Sequence, residues 1–168
     1  MAILVTAVAP AALAQAVGAG KNELGTELTF HSSKLSSDDA DRSTSLDWTV
    51  SYGRFLTDRF AAGPVFRIAK NNDTDAFGYL GGGGRYYFGD LSGRFLPVAE
   101  VSVARSMNDP SADYTDLQVF GGVVVPMGAS GARFRVGPYF YRAFYDEDET
   151  GYSNFQSFGV SWSVALLF

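Results

Sequence analysis

Phe158-Gly159-Val160-Ser161-Trp162-Ser163-Val164-Ala165-Leu166-Leu167-Phe168 is the stretch that decides the fold. Its even positions are Phe, Val, Trp, Val, Leu and Phe, and its odd positions are Gly, Ser, Ser, Ala and Leu. A period of two belongs to a strand with one bulky apolar face and one small or polar face. A last aromatic residue at the foot of the most hydrophobic strand suits a barrel closed in a bilayer, where the ring sits at the interface.

Composition agrees with many short strands. The chain has 168 residues, enough for one domain, with 19 Gly, 14 Phe and 9 Tyr and only 18% charged residues. It contains no cysteine, so no disulfide framework, zinc-thiolate site or thiol nucleophile is available. A net charge of -5, with no basic patch interleaved with aromatics, argues against a nucleic-acid partner.

Residues 1–16 read differently from the rest. Ile3 to Leu13 is an uncharged apolar run that ends in Ala14-Gln15-Ala16, the small-x-small form of a secretory cleavage site. It is shorter than the ~20 residues of a spanning helix. The expectation is a signal peptide over 1–16 and a mature barrel over 17–168, although no basic residue precedes Ile3 and the true start of the signal lies open.

Working back from the closing strand, period-two segments recur with turn residues between them. Glu23–Ser33 sets Leu24, Thr26, Leu28 and Phe30 against Glu23, Gly25, Glu27 and Thr29; Arg42–Phe55 sets Leu46, Trp48, Val50 and Tyr52 against Ser45, Asp47, Thr49 and Ser51. Arg59–Ala69 carries Phe60, Ala62, Phe66 and Ile68 outward and Arg67 inward, with Pro64 marking a bulge or bend. Ala76–Phe88 has Leu80, Tyr86 and Phe88 on one parity and Arg85 on the other. Arg94–Arg105 opposes Phe95, Ala99, Val101 and Val103 to Glu100 and Ser102, and Pro97 repeats the problem of Pro64. Asp113–Val125 opposes Leu117, Val119, Val123 and Val125 to Asp116 and Gln118. Ala132–Phe144 opposes Phe134, Val136, Phe140 and Phe144 to Arg133, Arg135, Tyr139 and Tyr141, and the last strand begins near Tyr152.

Gly81-Gly82-Gly83-Gly84 could suggest a phosphate cradle, but such a loop needs a helix after it and usually a lysine. Here Arg85-Tyr86-Tyr87-Phe88 follows, which is strand, so the glycines make room for bulky neighbours or allow sharp curvature.

Eight strands predict an all-β, antiparallel, up-and-down transmembrane β-barrel, since an even count brings both ends to one side. Connections after strands 2, 4 and 6 are tight, and those after strands 1, 3, 5 and 7 are longer. The longer ones hold 11 of the 18 acidic residues: Asp38, Asp39, Asp41, Asp73, Asp75, Asp109, Asp113 and the run Asp146 to Glu149. Short turns at one end and longer loops at the other is the polarity of an outer-membrane barrel.

A soluble ligand carrier has as many strands, so the placement of charge decides. Eight strands enclose a lumen just wide enough for packed side chains, too narrow for the Phe, Trp, Tyr and Leu of the bulky parity. With that parity outward, the interior receives Glu27, Asp47, Arg67, Arg85, Glu100, Asp116, Arg133 and Arg135, four acids and four bases. Such groups are expected to pair, because an unpaired buried charge is costly. The central network is expected at Arg85 and Glu100, with Arg133 and Arg135 across the lumen, in a filled, hydrogen-bonded core with isolated waters. A second reading makes some of the arginines rim residues that reach water.

On these features the chain resembles the small outer-membrane β-barrel proteins of Gram-negative bacteria, the class of the OmpX/OmpA-type eight-stranded barrels. The likeness is carried by Ala14-Gln15-Ala16, by Tyr52-Gly53-Arg54-Phe55-Leu56-Thr57-Asp58 with Arg59-Phe60-Ala61 across a turn, by Gly84-Arg85-Tyr86-Tyr87-Phe88 and by the closing strand. The resemblance implies the cell outer membrane, contact with outer-membrane lipid and lipopolysaccharide, escort by periplasmic chaperones, and a monomer. It also implies that Trp162, Val164, Leu166 and Phe168 form the signal read by the outer-membrane assembly machinery. The long loops are modest for such families, which weakens an adhesin reading.

For function, the expectation is a structural or surface-interaction barrel with a charged, largely plugged lumen, with no catalytic residues, metal or cofactor. A porin-like channel for small solutes or hydrophobic compounds is the rival, opposed by the girth of eight strands. A lipid-modifying enzyme would draw on His31, Ser33 and Asp38, but a general base needs a positioned partner that this spacing does not force. The loop acids could bind divalent cations or bridge through them to lipopolysaccharide, yet their spacing matches no calcium loop and a solvated polar face explains them.

Overall fold

The computed structural model describes residues 19–34, 42–71, 76–89, 95–107, 114–127, 131–145 and 155–168. The 1–16 segment and most of the loop residues, including all 11 of the loop acids named above, lie outside the described residues.

Eight strands follow one another: β1 Asn22–Lys34, β2 Arg42–Phe55, β3 Phe60–Asn71, β4 Phe77–Tyr87, β5 Leu96–Ser106, β6 Tyr114–Pro126, β7 Ala132–Tyr145 and β8 Phe155–Leu167. Each pairs antiparallel with the next, and β8 pairs with β1 to close the barrel. The closure runs to the chain end, where Asn22 N donates to Phe168 O at 2.9 Å and Phe168 N to Asn22 O at 3.0 Å.

Alternation is the cause of the two faces. Along β5, Leu96, Val98, Ser102 and Ala104 are buried and Pro97, Ala99, Val101, Val103 and Arg105 exposed. The outer face is bulky and apolar, with Trp48, Leu80 and Trp162 each about half exposed. Such a continuous apolar surface is unlike that of a soluble monomer.

Turn chemistry sets the tight end. Between β2 and β3, Thr57 Oγ1 accepts from Arg59 N at 3.3 Å and Phe60 N at 3.0 Å, while Leu56 N donates to Phe60 O at 2.9 Å. Between β6 and β7, Gly131 takes a φ of +73° beside Leu167, a conformation that suits glycine.

The prolines behave differently from a bulge. Pairing of β2 with β3 lapses at Tyr52-Gly53 opposite Gly63-Pro64 and resumes in the same register, with Ser51 opposite Val65 and Arg54 opposite Ala62. No extra residue is inserted, so Pro64 interrupts the ladder without shifting it. The same lapse occurs between β6 and β7, at Gly121-Gly122 opposite Gly137-Pro138. Pro97 sits second in β5 and its carbonyl accepts from Phe88 N, just past the end of β4. In antiparallel pairing a residue's N–H and C=O face the same neighbour, so the missing donor falls where β4 has already ended.

Candidate functional site in the barrel interior

The inward parity builds three layers. At the tight-turn end, Phe55, Tyr87, Leu96, Val98 and Val124 pack together with Ala61, and the cluster reaches up to Phe120 and Tyr139. Phe55 stacks on Tyr87 with ring centroids 5.7 Å apart. The core expected from the sequence was a filled, hydrogen-bonded one, and at the tight-turn end it is this apolar floor instead. Its members share parity with Ser51, Arg85, Glu100 and Asp116, so the signal was present in the alternation.

Above the floor lies an ion-pair layer. Arg85 and Glu100 are direct partners across the β4–β5 ladder, and their side chains meet in a bidentate pair at 2.7 and 3.0 Å. Arg135 of β7 reaches past β6, donating from Nη1 to Glu100 Oε2 at 2.9 Å and from Nε to Ser163 Oγ at 2.9 Å. From the far wall, Glu23 of β1 accepts from Arg85 Nη1 and from the Tyr87 hydroxyl. Arg85 Nη2 also donates to Ser51 Oγ at 3.1 Å. Arg133 is buried on the same inner face, nearer the turn. A cavity of about 10 Å³ lined by Ser51, Gly53, Gly63, Gly83, Arg85 and Glu100 is the size of one water.

A second polar layer lies toward the loop end. Arg67 of β3 crosses the interior to Asp116 of β6 at 2.8 Å and to Gln118 Oε1 at 2.7 Å, with its guanidinium beside the rings of Tyr79 and Tyr141. Glu27 Oε1 accepts from Thr29 Oγ1 at 3.0 Å and Ser161 Oγ at 2.6 Å. Asp47, opposite Thr29 in the ladder, is partly buried at the same end.

The eight charged residues singled out from the sequence therefore divide. Arg85, Glu100 and Arg135 come together in the ion-pair layer, with Arg133 below them. Arg67 and Asp116 pair separately, and Glu27 joins them through Gln118, whose Nε2 stands 3.4 Å from Glu27 Oε1. Glu23 is the acid that sequence reasoning left out of the network. It is fully buried and shares the parity of Glu27, which is the signal that could have placed it.

Trp162, Val164 and Leu166 stand on the outer face of β8, between β7 and β1, and Phe168 follows the strand and is bonded to Asn22. His31 and Ser33 lie on β1, their side chains outside the described residues, and Asp38 lies outside them altogether. Among the described residues no group of three or more His, Cys, Asp or Glu side chains comes together to hold a metal ion.

The closed eight-strand wall and its order match a solved structure. The crystal structure of the N-terminal β-barrel domain of Pseudomonas aeruginosa OprF superposes with a TM-score of 0.56 at 13% identity, covering 90% of this chain and 99% of that one. The fold is that of an OmpA-type eight-stranded outer-membrane barrel. At that identity the likeness concerns the fold alone. No family model matches the sequence, and no curated protein matches it.

Proposed function

We propose that the chain is a structural outer-membrane barrel whose lumen is plugged from within and whose loop end carries its interactions. The observation that carries the reading is the stack of an ion-pair layer on an apolar floor. Glu23 from β1, Arg85 from β4, Glu100 from β5 and Arg135 from β7 meet in the interior, and the cluster around Phe55 and Tyr87 packs beneath them. Paired charges of this kind resist separation, because each partner left behind would be an uncompensated buried ion.

The exposed apolar belt, the fold and the alternation support a place in the outer membrane, with lipid and lipopolysaccharide around the wall. The outer face of β8 is the surface available to the assembly machinery. The 11 acidic residues of the long connections make the loop end the natural place for partners. The same bore argues against an open small-solute channel.

Single-channel conductance in a planar bilayer tests this, after the refolded protein has shown altered migration on an unheated gel. The expected result is a folded protein with no discrete conductance steps. Reproducible steps would replace the plugged barrel by a channel.

A further inference from the structure

Pro64 and Pro138 interrupt the wall at the same kind of position. Leu56 N bonds to Phe60 O, and in an antiparallel ladder the bonded pairs recur at every second residue, so Arg54 with Ala62 and Tyr52 with Pro64 are bonded positions too. Pro64 has no N–H, and the Tyr52 carbonyl loses the donor that the ladder would have given it. Met127 N bonds to Ala132 O, and the same count makes Gly121 with Pro138 a bonded position, with the Gly121 carbonyl in the same state. Both oxygens lean inward. A Cβ on Gly63, which has the inward parity of Val65 and Arg67, would collide with Tyr52 O, and one on Gly137, which has that of Arg135 and Tyr139, would collide with Gly121 O.

What lies behind the two carbonyls differs. Beside Gly121, the tip of the Phe120 ring occupies the place of a Cβ on Gly122, and Phe120 and Tyr139 belong to the apolar cluster. Behind Tyr52 lies the cavity of about 10 Å³, where Gly53, Gly63 and Gly83 all have inward parity and leave the room that side chains would fill. Two polar groups on its border have capacity to spare. Glu100 Oε1 accepts one bond, from Arg85 Nη2, and the Glu100 side chain is 16% open against 0%, 6% and 2% for Glu23, Arg85 and Arg135. Ser51 Oγ accepts from Arg85 Nη2 at 3.1 Å, and among the described residues its own proton reaches no acceptor.

We propose that this cavity binds one ordered water, which donates to Tyr52 O and to Glu100 Oε1 and accepts from the Ser51 hydroxyl. Three polar partners are what a buried water usually has, and the volume suits one molecule. Water fits better than an ion, because the Arg85 guanidinium borders the same space and opposes a cation while the Glu100 carboxylate opposes an anion. The water stands in for the N–H that Pro64 lacks, and it ties the ion-pair layer to the wall. Tyr52 on β2, the water, Glu100 on β5, Arg135 on β7 and Ser163 on β8 then form one hydrogen-bonded chain across the interior. The site depends on the barrel interior alone and is independent of whether the bore conducts.

The full chain, refolded in detergent and shown folded by its unheated gel migration, would be crystallised and, isotope-labelled, measured for water-to-amide NOEs. The expected result is density for a water within about 3.2 Å of Tyr52 O, Glu100 Oε1 and Ser51 Oγ, and a long-lived water cross-peak at the amide of Gly53 or Gly83. Gly53→Ala puts a methyl group into the cavity with Ala61 Cβ at 3.4 Å as its nearest neighbour, so the variant should fold and lose both signals. Gly82→Ala, on the outer face with nothing closer than 3.7 Å, should keep them. A folded parent with no water at this position, a water that does not touch Tyr52 O, or a folded Gly53→Ala protein that retains the cross-peak overturns the inference. Should Gly53→Ala fail to fold, the parent density and cross-peak decide it alone.

Discussion

Arg135 on β7 and Glu100 on β5 are not neighbours in the sheet, yet Arg135 Nη1 lies 2.9 Å from Glu100 Oε2 because the barrel's curvature folds β6 out of the way. The same carboxylate takes the bidentate grip of Arg85, so two guanidinium groups converge on one acid, and Glu23 balances them from the opposite wall.

That convergence makes Glu100 the residue whose neutralisation should cost most. Glu100→Gln leaves Arg85 and Arg135 short of countercharge in the interior, and the expected loss is about 3–5 kcal/mol. Lys70→Gln, at an exposed position of β3, should stay within about 0.5 kcal/mol of the parent. Urea unfolding of both in the same lipid or detergent measures the difference, and equal midpoints would remove the network from any account of stability.

Tyr87 closes the layer from below by donating to Glu23. Tyr87→Phe keeps the stacking on Phe55 and leaves one oxygen of a fully buried carboxylate without its donor. The expected cost is about 1–3 kcal/mol in the same unfolding experiment. A neutral effect would mean that water replaces the hydroxyl.

Within the glycine run, two adjacent positions should respond in opposite ways. A Cβ at Gly81 would collide with the Val103 carbonyl and the Ala104 Cα, which belong to the neighbouring strand β5. At Gly82 the nearest atom is 3.7 Å away, an ordinary contact. Gly81→Ala should therefore destabilise by about 1–3 kcal/mol through overpacking, and Gly82→Ala should fold normally. The fraction folded on an unheated gel reports both.

On the closing strand, Trp162→Arg should cost about 2–4 kcal/mol if its exposed face meets lipid, and should lower the yield of folded protein in vesicles. Ser163 faces the other way, 3% exposed, and accepts from Arg135 Nε. Ser163→Thr keeps the hydroxyl and should be milder, whereas Ser163→Ala removes the acceptor. Comparable folding yields for Trp162→Arg and Ser163→Thr would contradict a lipid-facing Trp162.

Much of this was legible beforehand because a strand's period of two writes the destination of each side chain directly into the chain. Parity alone put Arg67, Arg85, Glu100, Asp116 and Arg135 inside and Trp48, Leu80 and Trp162 outside. It also contained Glu23, Phe55 and Tyr87, whose inward position follows from the same alternation but whose importance does not. An acid at the first turn of a strand looks like a solvated end until the opposite wall is in place.

What the sequence by itself determined was local: eight alternating segments, the turns between them, and the face each residue takes, all consequences of backbone geometry over a few residues. The short β4–β5 connection already set Arg85 beside Glu100, but only the tertiary structure decided which inward residues meet across the lumen. Arg67 with Asp116, and Glu23 with Arg85, are separated by 49 and 62 residues, and their contact depends on the tilt and closure of the whole barrel. The same is true of the β1–β8 seam, whose ladder runs from Glu23 opposite Leu167 to Leu28 opposite Trp162 although both strands continue beyond it: where that pairing ends is a property of how the two ends of the sheet meet in space.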